Sequence, residues 1–395
     1  MTNENHLKKK IFLVDMNAFY ISCEERLDKS LREKNAAVAG DPTERTGIIL
    51  TANYNARKYG IKTAMSIYEA KKLCPGLVLV KPDHTLYANV SQRIMNILSD
   101  YSPMIEQNSI DEAWIDMTGA DAYFGRAYTE IAADIQKTIY MKEEIPCSIG
   151  ISYNKFLSKM AAELKKPNGI VSIEKNDLCI KLWPLPIEKM YGCGKVMSAK
   201  LKAAGMDTVG KLAEADPVML KRKFGATGIS LHNSANGNDE SETIHTHNKV
   251  KSVSRETTLL EDTVDRELIL RYMIPLIDDV AGQLREMDCS FSTVYLIIKY
   301  GDFTRITRQM KVAQTGSRDA ICSSIKKMLS EGILSRPVRL IGVGVTDITG
   351  NEAVQLDVFS TSGHRTDMIY RLIDDTNRKY GTEIIKRGFY RKQRE

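Results

Sequence analysis

Met104-Ile-Glu-Gln-Asn108, Ser109-Ile-Asp-Glu112 and Ala113-Trp-Ile-Asp-Met117 read as a strand, a polar turn and a second strand, and this hairpin decides the fold. Upstream, residues 84–101 carry Tyr87, Val90, Ile94, Ile97, Leu98 and Tyr101 at helical spacing, and Pro103 stops the helix. Downstream, the pattern predicts a helix over 125–142 and a strand at Cys147–Ser152. Further back, Ile11-Phe-Leu-Val-Asp15 is an apolar run ending in an acid, a buried strand that delivers a carboxylate at its C-terminal end. The order is strand, helix, two paired strands, helix, strand, which is that of a ferredoxin-like sheet. An insertion follows the first strand. It holds a helix over 17–32, a strand within 47–53 and a helix over 66–73 that ends before Pro75-Gly76.

Beyond Pro167-Asn-Gly169, residues 174–240 read as short helices broken by glycine turns, and 238–250 as a polar linker. A second βαββαβ order starts at Val250. Its strands fall at 250–259, 291–300, 304–313 and 337–347, and its helices at 267–287 and 318–330. A tail from about 351 ends in basic residues. At ~100–200 residues per domain, 395 residues allow two to four domains.

Composition narrows the class. Hydrophobic residues are 43% and charged residues 27%, which excludes a disordered or collagen-like chain. No apolar run reaches the ~18–20 residues of a membrane span. The first ten residues have basic side chains but no apolar core, so they are not read as a signal peptide. Seven scattered cysteines without a C-x-x-C pair argue against structural zinc and disulfides and fit a reducing cytoplasm. Net charge is only +6, but residues 291–340 concentrate it. Lys299, Arg305, Arg308, Lys311, Arg318, Lys326, Lys327, Arg336 and Arg339 stand there against Asp302, Asp319 and Glu331. That density suits a polyanion such as nucleic acid, or a solvated surface.

Three carboxylates stand out: Asp15, Asp111 and Glu112. Side chains alternate along a strand, so Asp111 and Glu112 face one site only from a hairpin tip. If the first strand pairs beside that hairpin, all three acids meet at one sheet edge. Such a cluster is costly unless cations neutralise it, and oxygen ligands with phosphate favour Mg²⁺, here two ions. Taken singly, each element also reads as a strand end or a polar turn. Tyr54 and Arg57, three apart, share a helix face and could hold a triphosphate. Lys165-Lys166-Pro167-Asn168-Gly169 is a basic turn. A nucleotidyl cyclase or a non-catalytic DNA-binding protein shares some of these features. The basic last domain argues against the cyclase, and the complete acid trio against the non-enzyme.

Val14-Asp-Met-Asn-Ala-Phe-Tyr20, Ala52-Asn-Tyr-Asn-Ala-Arg-Lys-Tyr-Gly60, Ser109-Ile-Asp-Glu-Ala-Trp-Ile-Asp116, Ser148-Ile-Gly-Ile-Ser-Tyr-Asn-Lys-Phe156 and Lys166-Pro-Asn-Gly-Ile170 occur in one order and spacing. In this the chain resembles the Y-family DNA polymerases, and within them the bacterial DNA polymerase IV class, over residues 10–350. The resemblance implies an α+β right-hand polymerase with low fidelity, translesion synthesis and no proofreading. It implies a ferredoxin-like palm (1–18 and 84–173), small fingers (19–83), a helix-hairpin-helix thumb (174–240), a linker (241–249), a βαββαβ little finger (250–350) and a tail (351–395).

Residue by residue, it implies that Asp15, Asp111 and Glu112 are catalytic and bind metal together with the Met16 carbonyl. Phe19, Tyr20, Tyr54, Arg57 and Lys166 match nucleotide-binding positions, and Tyr20 the steric gate that excludes a ribose 2′-hydroxyl. Ile48 and Leu50 match the roof over the nascent base pair. Leu50 is larger than many relatives carry, and Trp114 replaces a usual Tyr. Gly192, Gly194 and Lys195 match a phosphate-binding turn in the thumb, and Arg305, Arg308 and Lys311 fall in the DNA-binding little finger. Gln355-Leu356-Asp-Val-Phe359 resembles a sliding-clamp peptide, though the chain runs on about thirty-five residues beyond it. The implied partners are primer-template DNA, a dNTP and a sliding clamp, with no membrane, for a monomer working in the cytoplasm.

Overall fold

The computed structural model describes residues 9–41, 47–239, 241, 250–329 and 332–350, together with Leu372, Thr376, Lys379 and Tyr380. They divide into two units, 1–247 and 248–395.

The first unit opens with β1 (Ile11–Met16), every residue of which is buried, and α1 (Phe19–Leu27). A small insertion follows: β2 (Ala36–Ala39), β3 (Ile49–Ala52), α2 (Tyr54–Arg57), α3 (Ile67–Leu73) and β4 (Val78–Val80). Its sheet has the order β3-β2-β4 and its own core of Ala37, Ile49, Ile61, Ile67 and Leu77. Next come α4 (His84–Ser99), β5 (Ile105–Gln107), β6 (Glu112–Asp116), α5 (Ala120–Phe124), α6 (Tyr128–Glu143), β7 (Cys147–Ser152), α7 (Lys155–Leu164) and β8 (Ile170–Ser172). These build a sheet of order β5-β6-β1-β7-β8. The first, third and fourth strands of the βαββαβ set are neighbours, as a ferredoxin-like sheet requires, and β8 is added parallel to β7.

One face of this sheet (Phe12, Val14, Ala113, Ile115, Ile149) packs on α4 and α6 through Val90, Ile94, Ile131 and Ile135. The other face carries Ile11, Leu13 and Trp114 against Ala162 of α7. The remainder of the unit is helical: α8 (Lys195–Ala203), α9 (Val209–Ala213) and α10 (Pro217–Ala235), around Leu182, Leu201, Leu212 and Leu220.

The second unit holds β9 (Ser252–Thr263), α11 (Arg266–Glu286), β10 (Cys289–Tyr300), β11 (Arg305–Thr315), α12 (Arg318–Met328), β12 (Val338–Thr346) and the short β13 (Thr349–Gly350). The chain order is again βαββαβ, but the sheet order is β11-β10-β12-β9. Here the second and fourth strands are central. Both helices cover one face, where Ile269, Met273, Ile277, Ile321 and Ile325 meet Val294, Leu296, Ile298, Ile341 and Val343.

Three expectations are corrected. The helix over 125–142 begins only at Tyr128, and a separate short helix, α5, precedes it, closed by Gly125 in the left-handed region. The helix over 17–32 ends at Leu27; Asp28 is extended and its side chain caps a 3₁₀ turn at Lys29–Glu33. Glu112 is the first residue of β6 rather than part of the turn, which leaves Asp111 as the last turn residue. Six elements have no counterpart in the sequence reading: β2, β4, α5, α7, β8 and β13.

Candidate active site

Strand alternation sends Phe12, Val14 and Met16 into the main core and turns Ile11, Leu13 and Asp15 toward α7. In β6, Glu112 and Trp114 share that face. The register pairs Leu13 with Trp114 and Asp15 with Glu112. Two carboxylates thus stand directly opposite, both nearly buried, an arrangement that repels without a cation. Asp111 joins them through the backbone: its carbonyl accepts the Met16 N–H at 2.9 Å. Its carboxylate accepts the Ser109 hydroxyl at 2.6 Å. Among the described residues, no three acid, imidazole or thiol side chains are gathered closely enough to grip one ion as they stand.

The charge of the opposed pair is met from α7. Asn154 caps this helix by accepting the Leu157 N–H, and Phe156, Leu157, Met160 and Ala161 supply its buried side. The helix lies directly on the sheet because β7 has glycine at its contact point. A Cβ on Gly150 would stand 1.9 Å from the Ser158 carbonyl oxygen and 2.4 Å from the Ala162 nitrogen. Lys155 and Lys159, one turn apart, then overhang the strands. Lys155 pairs with Glu106 at 2.5 Å and lies 5.5 Å from the Trp114 ring centre. The Lys159 ammonium donates to Asp15 Oδ2 at 2.9 Å and to Glu112 Oε2, and Glu163 Oε1 is 3.4 Å away. Lys166 donates to Asp15 Oδ1 and Glu163 Oε1, each at 2.8 Å.

Burial works to raise the Asp15 carboxyl, but the charges and hydrogen bonds of Lys159 and Lys166 together outweigh it and hold it below its usual range. Burial likewise works to lower Lys159, and the two carboxylates hold it above the ordinary lysine value.

Asn17 fastens the loop bearing Lys166. Fully buried, it accepts the Asn168 N–H at 2.8 Å, donates to Ser148 Oγ at 3.0 Å, and accepts the Ser22 hydroxyl on its own carbonyl at 2.8 Å. Its N–H donates to the Pro146 carbonyl at 2.7 Å.

Tyr20 lies half-buried, stacked on Tyr87 with ring centres 4.4 Å apart and planes at 14°. Tyr87 has no exposed surface and donates its hydroxyl to Glu24 at 2.5 Å. Burial, then the nearby Asp111 charge, raise the Tyr20 phenol above its ordinary value. The Phe19 side chain is in the core, which leaves its backbone rather than its ring to meet a ligand. In α2 the Arg57 guanidinium lies 5.0 Å from the Tyr54 ring centre, and its Nε donates to the Ala52 carbonyl at 2.8 Å. Burial raises the Tyr54 phenol, while the Arg57 and Lys166 charges oppose that, so both cations lie within electrostatic reach of it. Asn53 builds this corner: its amide caps α2 at the Ala56 N–H and donates to Glu25 at 3.0 Å. Ile48 and Leu50 flank the buried Ile49, with Ile48 exposed and Leu50 half-buried.

Gly192 adopts φ 82°, open to glycine, and Gly194 is the N-cap of α8 without a side-chain cap, so the first N–H groups beside Lys195 stay free.

The structure separates the three basic residues of β11. Arg305 pairs across from Lys299 and Lys311 from Thr293, on the sheet face that neither α11 nor α12 covers. Arg308 pairs across from Leu296 and so projects on the helix side. Arg305 also binds Glu256 at 2.6 Å. Of the other basic residues, Arg318 is largely buried against Asp278. Lys299 and Arg339 lie 4.6 and 5.0 Å from the Phe303 ring centre. The peptide Gln355–Phe359 lies outside the described residues.

Sequence reasoning assigns no role at the site to Lys159, Asn17, Gly150 or Tyr87. The signal for the helix that carries Lys159 was present: a capping Asn154 followed by apolar residues at helical spacing.

Two family profiles match the chain: the impB/mucB/samB family over residues 14–163 and the impB/mucB/samB family C-terminal domain over residues 250–358. A Clostridium kluyveri protein named DNA polymerase IV is 44% identical over 393 residues, 97% of this chain and 98% of its own length. A protein of the same name from Alkaliphilus oremlandii is 39% identical over 96% of this chain and 98% of its own. DNA polymerase IV 1 of Bacillus subtilis is 37% identical over 98% of this chain and 94% of its own. Among solved structures, a chimeric Y-family DNA polymerase aligns with a TM-score of 0.76 at 27% identity, over 87% of this chain and 100% of that one.

Proposed function

This chain belongs to the impB/mucB/samB family, the Y-family DNA polymerases, and on that premise we propose that it extends primer 3′ ends on a DNA template as a low-fidelity translesion polymerase without proofreading. The observation that carries the reading is the opposed pair Asp15 and Glu112, whose oxygens already converge on one cation, the Lys159 ammonium.

The residues present fit Mg²⁺. The carboxylates of Asp15, Asp111 and Glu112 and the Met16 carbonyl are all hard oxygen donors, and no thiol or imidazole competes among them. Two bound ions supply an acidified primer hydroxyl and a stabilised leaving pyrophosphate.

The chain's own residues do the rest. Tyr54, Arg57 and Lys166 hold the triphosphate, with Arg57 offering a planar fork of donors and Lys166 a point charge beside the acids. The Tyr20 ring, backed by Tyr87, fills the space a 2′-hydroxyl would need. The Phe19 backbone lines the same nucleotide, and Ile48 and Leu50 cover the nascent base pair. Primer-template DNA is held through its phosphates, at Gly192, Gly194 and Lys195 and on the uncovered face carrying Arg305 and Lys311, so the grip ignores sequence. Gln355, Leu356 and Phe359 are a tether for a sliding clamp; replacing Leu356 and Phe359 with Ala is expected to erase stimulation by a clamp. Work in the cytoplasm fits seven unpaired cysteines, and among the described residues no helix is long and apolar enough to cross a membrane.

The test is primer extension by Asp15→Ala and Asp111→Ala, with DNA affinity measured alongside. Extension is expected to vanish while DNA binding remains. Near-wild-type extension by either variant overturns the reading.

A further inference from the structure

One group in the site has no part in the chemistry above. Lys159 stands on α7, almost buried, with its ammonium between Asp15 Oδ2 and Glu112 Oε2. It is the only side chain, among the described contacts, that touches both members of the opposed carboxylate pair. A divalent ion drawn to those oxygens meets a like charge already there. The helix offers somewhere for that charge to go. Glu163 lies one turn further along α7, half-exposed, its Oε1 3.4 Å from the same ammonium. Glu163 is shared: Lys166 also holds it, at 2.8 Å. If Lys166 turns to a triphosphate, Glu163 is left for Lys159, and the swing needs only side-chain rotation.

We propose that Lys159 is a positioning residue that holds Asp15 and Glu112 together as an internal counter-cation in the ion-free enzyme and passes to Glu163 when a divalent ion takes its place. The inference rests on the reading of Asp15 and Glu112 as ion ligands. It explains how two opposed buried carboxylates fold without metal. It also explains why β7 carries glycine where α7 crosses: Gly150 sets the helix low enough for a lysine to reach the strands.

The test is Mn²⁺ binding to the full chain without DNA or nucleotide, followed by electron paramagnetic resonance, with thermal midpoints in EDTA and in Mn²⁺. Removing the competing charge with Lys159→Met is expected to tighten Mn²⁺ binding by about tenfold. The variant's midpoint falls in EDTA and recovers in Mn²⁺. Lys159→Arg, which keeps the charge, does not tighten binding. Glu163→Gln, at a half-exposed position, removes the destination and is expected to weaken Mn²⁺ binding roughly threefold. Equal or weaker binding by Lys159→Met, with the same loss of midpoint in both conditions, makes Lys159 a structural prop and overturns the inference. So does a Glu163→Gln variant that binds as wild type. Asp15→Asn separates the two levels: if it binds Mn²⁺ as tightly as wild type, the reading of the carboxylates as ion ligands fails first.

Discussion

Tyr20 is rigid for reasons that lie outside its own helix. Its ring is stacked on Tyr87, which is itself fixed by the Glu24 hydrogen bond, so turning the ring away from a bulkier sugar would break that stack. Tyr20→Ala opens that space and is expected to raise ribonucleotide incorporation relative to deoxynucleotide by roughly 10–200-fold in single-nucleotide kinetics. Unchanged selectivity removes Tyr20 from the role. Asn17 is fixed in the opposite sense, since everything around it depends on its amide. Asn17→Ala leaves the Asn168 N–H without its acceptor and should destabilise by ~1–3 kcal/mol. Because that N–H belongs to the loop of Lys166, KM for dNTP should rise more than kcat falls; a pure kcat effect would contradict the link. The acids stand out in the sequence because a carboxylate ending an apolar strand and two more in a tight turn are unusual, whereas Tyr20 is singled out only by the resemblance. Lys159 and Asn17 do not stand out. Lys159 is ordinary until it meets Asp15, 144 positions away, and Asn17 until it meets Asn168, 151 away.

At the scale of elements, legibility followed length and amphipathic spacing. Helix α4 and strand β7 are long enough to show their period. Strand β2 is Ala36-Ala-Val-Ala39, buried throughout, with no alternation to betray it. Helix α7 was hidden differently. The Ser148–Phe156 motif reaches only its first two residues, and its apolar period lies beyond them. Yet α7 sets the geometry of the acids, and it does so through Gly150. A Cβ there would overlap the backbone of α7, so Gly150→Ala must lift the helix and its two lysines off the sheet. The expected loss is ~1–3 kcal/mol in urea unfolding. Primer extension at a temperature where the variant is fully folded should fall as well. A variant that keeps full stability would show that the helix is free to shift without cost.

At the scale of the whole molecule, two units share one chain order and differ in sheet order. Periodicity specifies which segments are strands, not which strands are neighbours. The first sheet puts its first and third strands at the centre, which brings Asp15 beside Glu112. The second puts its second and fourth there and leaves β11 at an edge. That edge decides what the basic segment can do. Read as sequence, Arg305, Arg308 and Lys311 are one cluster. Read as a strand, two of them belong to the uncovered face and one to the helix side. If the uncovered face is where phosphates lie, the three should separate in solution. Arg305→Ala and Lys311→Ala should each weaken primer-template binding and lower the slope of log K against log salt by about one. Arg308→Ala should leave that slope nearer the wild-type value, because its charge points away from the face. Binding isotherms at several salt concentrations read all three at once, and equal slopes for the three variants would mean that the strand's two faces do not divide the work.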